Sequence, residues 1–234
     1  MIEFQGAAVR TLDATPRVLI HPLTLTLTEQ RISVIGANGS GKSTLLRLIN
    51  GLVRPSQGSV TVLGHDTRSS GRQVRRSVGF VFTDPLSQLV MPTGREDVEL
   101  SLRAQRLPGG DRRRRGEEVL QRFGIAHLAD RSIYDLSGGE RQILAFAVVA
   151  AVEPRILVVD EPTTLLDLRN DARVRSLIAG LDQQVVFTTH NLDFALESDR
   201  TLVIDGGRVV FDGTPAGAVA HYRDFAAALP DGHR

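Results

Sequence analysis

Gly36-Ala37-Asn38-Gly39-Ser40-Gly41-Lys42-Ser43 is the stretch on which the reading of this chain turns. It follows Arg31–Ile35, read as a short strand, and precedes Thr44–Leu52, an apolar-periodic helix ended by Gly51 and Pro55. The pattern G-x-x-x-x-G-K-[ST] between a strand and a helix makes a phosphate-binding loop. Its glycines let the backbone curl until successive N–H groups point inward at phosphate oxygens, and the following helix N-terminus adds partial positive charge. Asn38, Gly39, Ser40, Gly41, Lys42, Ser43 and Thr44 are therefore the candidate nucleotide-binding residues. Lys42 reaches for the β- and γ-phosphates, and Ser43 offers its hydroxyl to Mg²⁺. Lys42 is also the only lysine in the chain. Where arginine has taken every other such position, a surviving lysine marks a place that needs a compact ammonium rather than a planar fork.

Working outward, residues 2–10 and the alternating stretch from Leu23 to Thr28 read as antiparallel strands. Ser59–Leu63 and Val78–Phe82 are further strands. From about 85 to 135 the sequence turns to charge and helix formers, with a loop signal at Pro108-Gly109-Gly110. Strands then alternate with helices: Ile156–Asp160, Val185–Thr189 and Leu202–Asp205, the last closing a hairpin through Gly206-Gly207 to Val209–Phe211. This order predicts an α/β fold with a mostly parallel core sheet, an antiparallel β subdomain and an inserted helical subdomain. Residues 1–84 and 154–215 would form the nucleotide-binding core, 85–153 the helical part and 216–234 a C-terminal tail.

Ile156-Leu157-Val158-Val159-Asp160-Glu161-Pro162 is a buried strand ending in two acids. Such a strand delivers its last residues to the crevice at the carboxyl edge of a parallel sheet, beside the phosphate loop. Asp160 is the candidate Mg²⁺ carboxylate. Glu161 points differently and is the candidate to orient or deprotonate an attacking water.

Leu136-Ser137-Gly138-Gly139-Glu140 opens a helix, with Ser137 and Glu140 spaced as a capping box. Two consecutive glycines exceed what a cap requires, and suit a helix end that must approach an anion closely. This stretch resembles the signature of ABC ATPases, which separates them from other P-loop proteins. The resemblance runs from about residue 2 to 215 and takes in Thr164-Leu165-Leu166-Asp167 as a D-loop and Thr188-Thr189-His190 as an H-loop. It implies two subunits, a homodimer or a heterodimer with a related ATPase, paired head to tail around two ATP molecules. By that resemblance Ser137, Gly138 and Gly139 meet the γ-phosphate across the interface, His190 steadies it, and Asp167 couples the two sites.

Two positions depart from the family pattern. A Gln usual at the end of the strand Val78–Phe82 is replaced by Thr83, a shorter oxygen donor for a metal shell, while Gln88 lies five residues on and could serve the partner instead. An aromatic residue that stacks on adenine is missing near Thr11, and there is no aromatic between Phe4 and Phe80. Modest nucleotide affinity and poor discrimination of ATP from GTP are expected.

Asp84-Pro85-Leu86-Ser87-Gln88-Leu89-Val90-Met91-Pro92-Thr93, followed by Glu96-Asp97-Val98, is similar to the extra segment of energy-coupling-factor (ECF) transporter ATPases. Within that group the wording is most like the biotin-uptake ATPase, with cobalt or nickel types next. The resemblance implies a transmembrane scaffold subunit, a substrate-binding membrane subunit and a peripheral place on the cytoplasmic face of the membrane. A conventional ABC importer and a soluble non-transport ABC ATPase are the alternatives.

Composition is that of an ordinary globular chain. The net charge is +1, and the basic run Arg112–Arg115 is flanked by Asp111, Glu117 and Glu118, reading as a solvated helix face rather than a nucleic-acid site. No cysteine is present, which excludes thiolate metal sites and Cys nucleophiles. No leader is expected at the N-terminus, where Ile2-Glu3-Phe4 reads as a strand. The longest apolar run, Ile143 to Val152, is about half the ~20 residues of a membrane helix.

Overall fold

The computed structural model describes residues 1–13, 15–164 and 166–228. Leu165 of the expected D-loop and the last six residues of the expected tail lie outside the described residues. Two sheets are built. One is antiparallel, in the order β2 (Val18–Leu27), β1 (Ile2–Arg10), β4 (Gln57–Val62), β5 (His65–Asp66). The other runs β10 (Arg208–Gly213), β9 (Arg200–Asp205), β3 (Arg31–Ile35), β8 (Gln184–Thr188), β7 (Ile156–Val159), β6 (Val78–Val81), and is parallel except for the β9–β10 hairpin.

Period-two alternation divides the parallel strands between two cores. Ile32, Val34, Ile156, Val158 and Val186 face α1 (Lys42–Ile49), which buries Leu45, Leu46, Leu48 and Ile49 between the two sheets. Leu157, Val159, Val185 and Phe187 face the other way, onto α5 (Gly138–Ala150) and α6 (Leu168–Ala179). Because both faces are covered, β3 and β7 are buried at every residue.

Arg31 shows why β3 begins where it does. Arg31 is 8% exposed, and its guanidinium donates to the carbonyls of Gln30, Ala179, Leu181 and Gln183, taking up the last carbonyl of α6 and two beyond it. Burial lowers its pKa, opposed by Asp199 and Asp182.

Between β6 and β7 the chain is helical: α3 (Gly94–Leu102), α4 (Gly109–Arg122) and α5, with short 3₁₀ turns at Pro85–Ser87, Arg103–Gln105, Ala126–Leu128 and Ile133–Asp135. Among the described residues no helix is long and apolar enough to cross a membrane. The run Arg112–Arg115 lies on α4, where Arg114 pairs with Asp111 and Glu118, Arg113 with Glu117, and Arg115 with Glu118 and Glu153.

Three elements differ from expectation. β2 starts at Val18, five residues earlier than expected, running through Pro22 by shifting register between Ile20 and Leu23. Pro108-Gly109-Gly110 is not a loop: Gly109 and Gly110 are the first residues of α4, where backbone N–H groups have no helical acceptor and a flexible residue costs little. α2 (Gly71–Ser77) was not foreseen, since Val74 is its only buried residue. The tail forms α7 (Pro215–Ala228), whose Ala218 and Val219 pack with Ile35, Ala195 and Val203.

Candidate functional site

The phosphate loop leaves β3 at Gly36 and enters α1 at Lys42. Gly41 occupies the N-cap position with φ 111°, a conformation that side chains rarely adopt, and a Cβ there would meet Ile20 Cδ1 at 2.9 Å and Leu19 O at 3.0 Å. The loop is also fastened from outside: Gly207, in the β9–β10 turn, donates its N–H to Ser40 O at 2.8 Å, and its carbonyl accepts from His21 N–H at 2.9 Å.

Lys42 curls back under this loop. Its ammonium donates to Gly36 O at 2.9 Å and Ala37 O at 3.0 Å and stands 4.0 Å from Glu161 Oε1. Burial lowers its pKa, while Glu161 and Asp160 pull it back up.

β7 ends at Val159 and sets the two acids at the mouth of the sheet. Asp160 is 3% exposed, and its Oδ1 accepts from Ser43 Oγ at 3.0 Å and Thr188 Oγ1 at 2.8 Å. Glu161 carries a left-handed backbone, φ 49°, uncommon for a non-glycine residue and a strain of about 1–3 kcal/mol. Its amide donates to Thr188 Oγ1 at 2.8 Å, and Thr164 Oγ1 donates to its Oε2 at 3.2 Å. His190 Nε2 approaches Oε1 to 3.0 Å without hydrogen-bond alignment, so this buried oxygen keeps its acceptor capacity. Buried Ser40 Oγ is likewise without a partner.

Asn38, Gly39, Gly41, Lys42, Ser43 and Thr44 line one cleft of about 450 Å³ with Glu161, His190, Gly206 and Gly207. That volume falls within the roughly 300–1,000 Å³ of small-molecule sites. Its remaining wall is aliphatic, Val18 and Leu19, which the sequence reading missed. Thr11 is not part of it; its Oγ1 accepts from Arg17 N–H at 2.9 Å and pins the loop before β2.

Five expected residues stand apart from this cleft. Ser137, Gly138 and Gly139 form the N-terminus of α5, where Ser137 and Glu140 make the expected capping box: Glu140 N–H donates to Ser137 Oγ at 3.3 Å and Ser137 N–H to Glu140 Oε2 at 2.8 Å, an oxygen that Ser137 Oγ also reaches at 2.7 Å. This holds Glu140 below the usual carboxylate range. Asp167 caps α6, accepting from Asn170 N–H at 2.8 Å. Ser137, Gly138 and Asp167 are exposed. Thr83 is also exposed, beyond the bond that joins Asp160 N–H to Val81 O. Gln88 is not a free surface group: its Oε1 accepts from Phe82 N–H and its Nε2 donates to Ala145 O, both at 3.0 Å. It braces the segment after β6 against α5.

The donor set fits a hard divalent cation. Ser43 Oγ and Asp160 Oδ1 lie 3.0 Å apart, two oxygen donors of the kind such a cation takes. Such an incomplete set suits Mg²⁺, which keeps waters and takes phosphate oxygens as its other ligands.

Comparison with known proteins agrees with this geometry. The ABC transporter family model matches residues 20–164. The biotin transport ATP-binding protein BioM of Rhizobium etli is 44% identical over 226 residues, covering 97% of this chain and 99% of its own length. The dimeric ATP-binding cassette MJ0796, in a post-hydrolysis state bound to ADP and Pi, superposes with a TM-score of 0.84 at 27% identity, covering 92% of this chain and 99% of that one. The cbiO1 protein of Clostridium perfringens, part of the ABC transporter complex cbiONQ, gives 0.83 at 29% identity, with 98% and 95% covered. A phosphate loop, an acidic strand end and a glycine-opened helix, matched along nearly the whole chain, place the protein in the ABC transporter family as an ATP-binding, ATP-hydrolysing subunit.

Proposed function

We propose that this chain energises an ECF-type importer from the cytoplasmic face of the membrane, with a vitamin or metal ion as cargo and biotin favoured. Two copies, or one copy and a related ATPase, close head to tail over two ATP molecules. Each phosphate loop then faces Ser137, Gly138 and Gly139 of the opposite subunit, and Asp167 links the two sites. Each nucleotide adds contacts to both subunits that the open state lacks, so ATP favours closure.

Within each site Lys42 gives up its loop carbonyls for the β- and γ-phosphate oxygens. Ser43 and Asp160 would hold Mg²⁺, which supplies charge stabilisation to the phosphates when bound. Glu161 accepts the proton of the attacking water through Oε1, and His190 beside it steadies the γ-phosphate. Thr83 is not among the residues lining the cleft, and Thr83→Ala is expected to keep most of the activity.

The observation that carries the transport reading is the segment from Asp84 to Thr93. It exposes Leu86 (37%) and Val90 (68%) while Gln88 and Asp97 fix it from below. A braced turn that presents aliphatic side chains suits the transmembrane scaffold better than a mobile loop would. The likeness to BioM favours biotin as cargo.

The test is a mild-detergent pull-down of the tagged protein from native membranes, with partners identified by mass spectrometry. One scaffold membrane protein and one small substrate-binding membrane protein are expected, and the second identifies the cargo. Paired conventional permeases would move the chain to an ordinary importer. Soluble partners alone would overturn the transport reading and leave the ATPase.

A further inference from the structure

The N-termini of α5 and α6 come together at the side chain of Asn170. Its backbone N–H donates to Asp167 Oδ1 at 2.8 Å and its amide Nδ2 to Asp167 Oδ2 at 3.0 Å, so one residue holds both carboxylate oxygens. The same amide group is pressed against Gly139. A Cβ at Gly139 would lie 2.2 Å from Asn170 Cγ, 2.3 Å from Oδ1 and 2.7 Å from Nδ2, closer than a real Cβ can come. The three atoms belong to a short side chain already tied at its far end, which has little room to yield. Gly138 differs. It is exposed, and a Cβ there would meet only Leu166 Cδ2, at 3.9 Å. The paired glycines therefore have separate tasks: Gly138 opens the surface outward, and Gly139 lets α5 close on Asn170.

We propose that Asn170 is a positioning residue that locks the Ser137–Gly139 turn and Asp167 into one block, so that the two elements each subunit presents to its partner move together. This rests on the reading that a second subunit meets that face. Packed groups with no free space between them shift together or not at all, and an acid held at both oxygens cannot swing independently of the helix that holds it. The hydrogen bonds of Asn170 go to Asp167, not to the phosphate loop or Glu161 of its own chain, so its loss is expected to leave nucleotide binding to the open subunit intact.

The test is a size exchange, read as ATP-driven dimerisation by light scattering in a Glu161→Gln background, with nucleotide affinity of the monomer measured alongside. Gly139→Ala is expected to weaken dimerisation at least tenfold, and Asn170→Ala severalfold. The double variant Gly139→Ala/Asn170→Ala removes all three clashing atoms and is expected to recover at least threefold over Gly139→Ala alone. Asn170→Asp keeps the size but sets a carboxylate against Asp167, and is expected to be at least as weak as Asn170→Ala. Monomer affinity for ATP stays within about twofold throughout, which separates positioning from misfolding. A double variant no better than Gly139→Ala, or an Asn170→Ala protein that dimerises like its parent, would overturn the proposal. Failure of the parent itself to dimerise would instead refute the paired-subunit reading, before any Asn170 variant is made.

Discussion

Thr188 Oγ1 accepts the amide hydrogen of Glu161 and donates its own to Asp160 Oδ1, both at 2.8 Å. One hydroxyl at the end of β8 thereby orders the two acids at the end of β7. It also supports the left-handed backbone of Glu161, which aims Oε1 toward Lys42 and His190.

Replacing Thr188 by Val keeps the shape and removes the hydroxyl, leaving the Glu161 amide without its acceptor and Asp160 short of a donor. A buried polar group left unpaired costs about 1–3 kcal/mol. If that cost falls on the catalytic geometry, kcat drops about 10- to 100-fold. Thr188→Ser is expected to stay near wild type. Steady-state ATPase assays with both variants check this, and an unimpaired Thr188→Val enzyme would count against the role given to the hydroxyl.

Asp97 supplies a pH signature. It is 2% exposed; its Oδ1 accepts from Val90 N–H at 3.1 Å and Met91 N–H at 3.2 Å, while Oδ2 is buried without a partner. Burial raises its pKa, the two amides lower it, and Glu96 raises it further, for a net upward shift. With the folded pKa above the unfolded one, the stability from this group is present at low pH and is lost as pH rises through the folded value. Asp97→Asn keeps the acceptor and cannot ionise, so wild type should lose stability relative to it on going from acidic to neutral pH. Asp97→Ala orphans both amides and is expected to cost about 1–3 kcal/mol. Urea unfolding at acidic and at neutral pH measures both effects.

The cleft wall formed by Val18 and Leu19 gives no aromatic face to a base. Competition binding is expected to find ATP and GTP within about threefold of each other. Base–aromatic stacking contributes about 1–3 kcal/mol, so Val18→Tyr is expected to tighten both nucleotides by about tenfold. A large ATP preference in the wild type would contradict this picture.

The sequence made the chemistry legible wherever it was contiguous. The run from Gly36 to Thr44, the pair Asp160-Glu161 and the turn Ser137-Gly138-Gly139 each carry their physical reason in adjacent residues, and the structure brings the first two together around one cleft. What escaped depends on neighbours distant in the chain. Thr188 lies 28 residues from Asp160, and nothing at position 188 alone distinguishes a hydroxyl that orders two acids from one that fills a strand. Asn170 is likewise an ordinary first-turn residue until α6 is docked on α5. Pro22 hid the first half of β2 because a proline inside a strand reads as its end. Gly109-Gly110 mimicked a turn, since the bonds that would argue otherwise are missing in any first helical turn.

The most direct test of the account is the behaviour of Glu161→Gln with ATP and Mg²⁺, followed by light scattering and by bound-nucleotide analysis. The variant keeps the shape of the site and removes the base. It is expected to form a stable dimer that retains two unhydrolysed ATP molecules, while wild type turns over and returns to monomer. Hydrolysis by the variant at the wild-type rate would remove Glu161 from catalysis, and ATP bound to a persistent monomer would contradict the paired site.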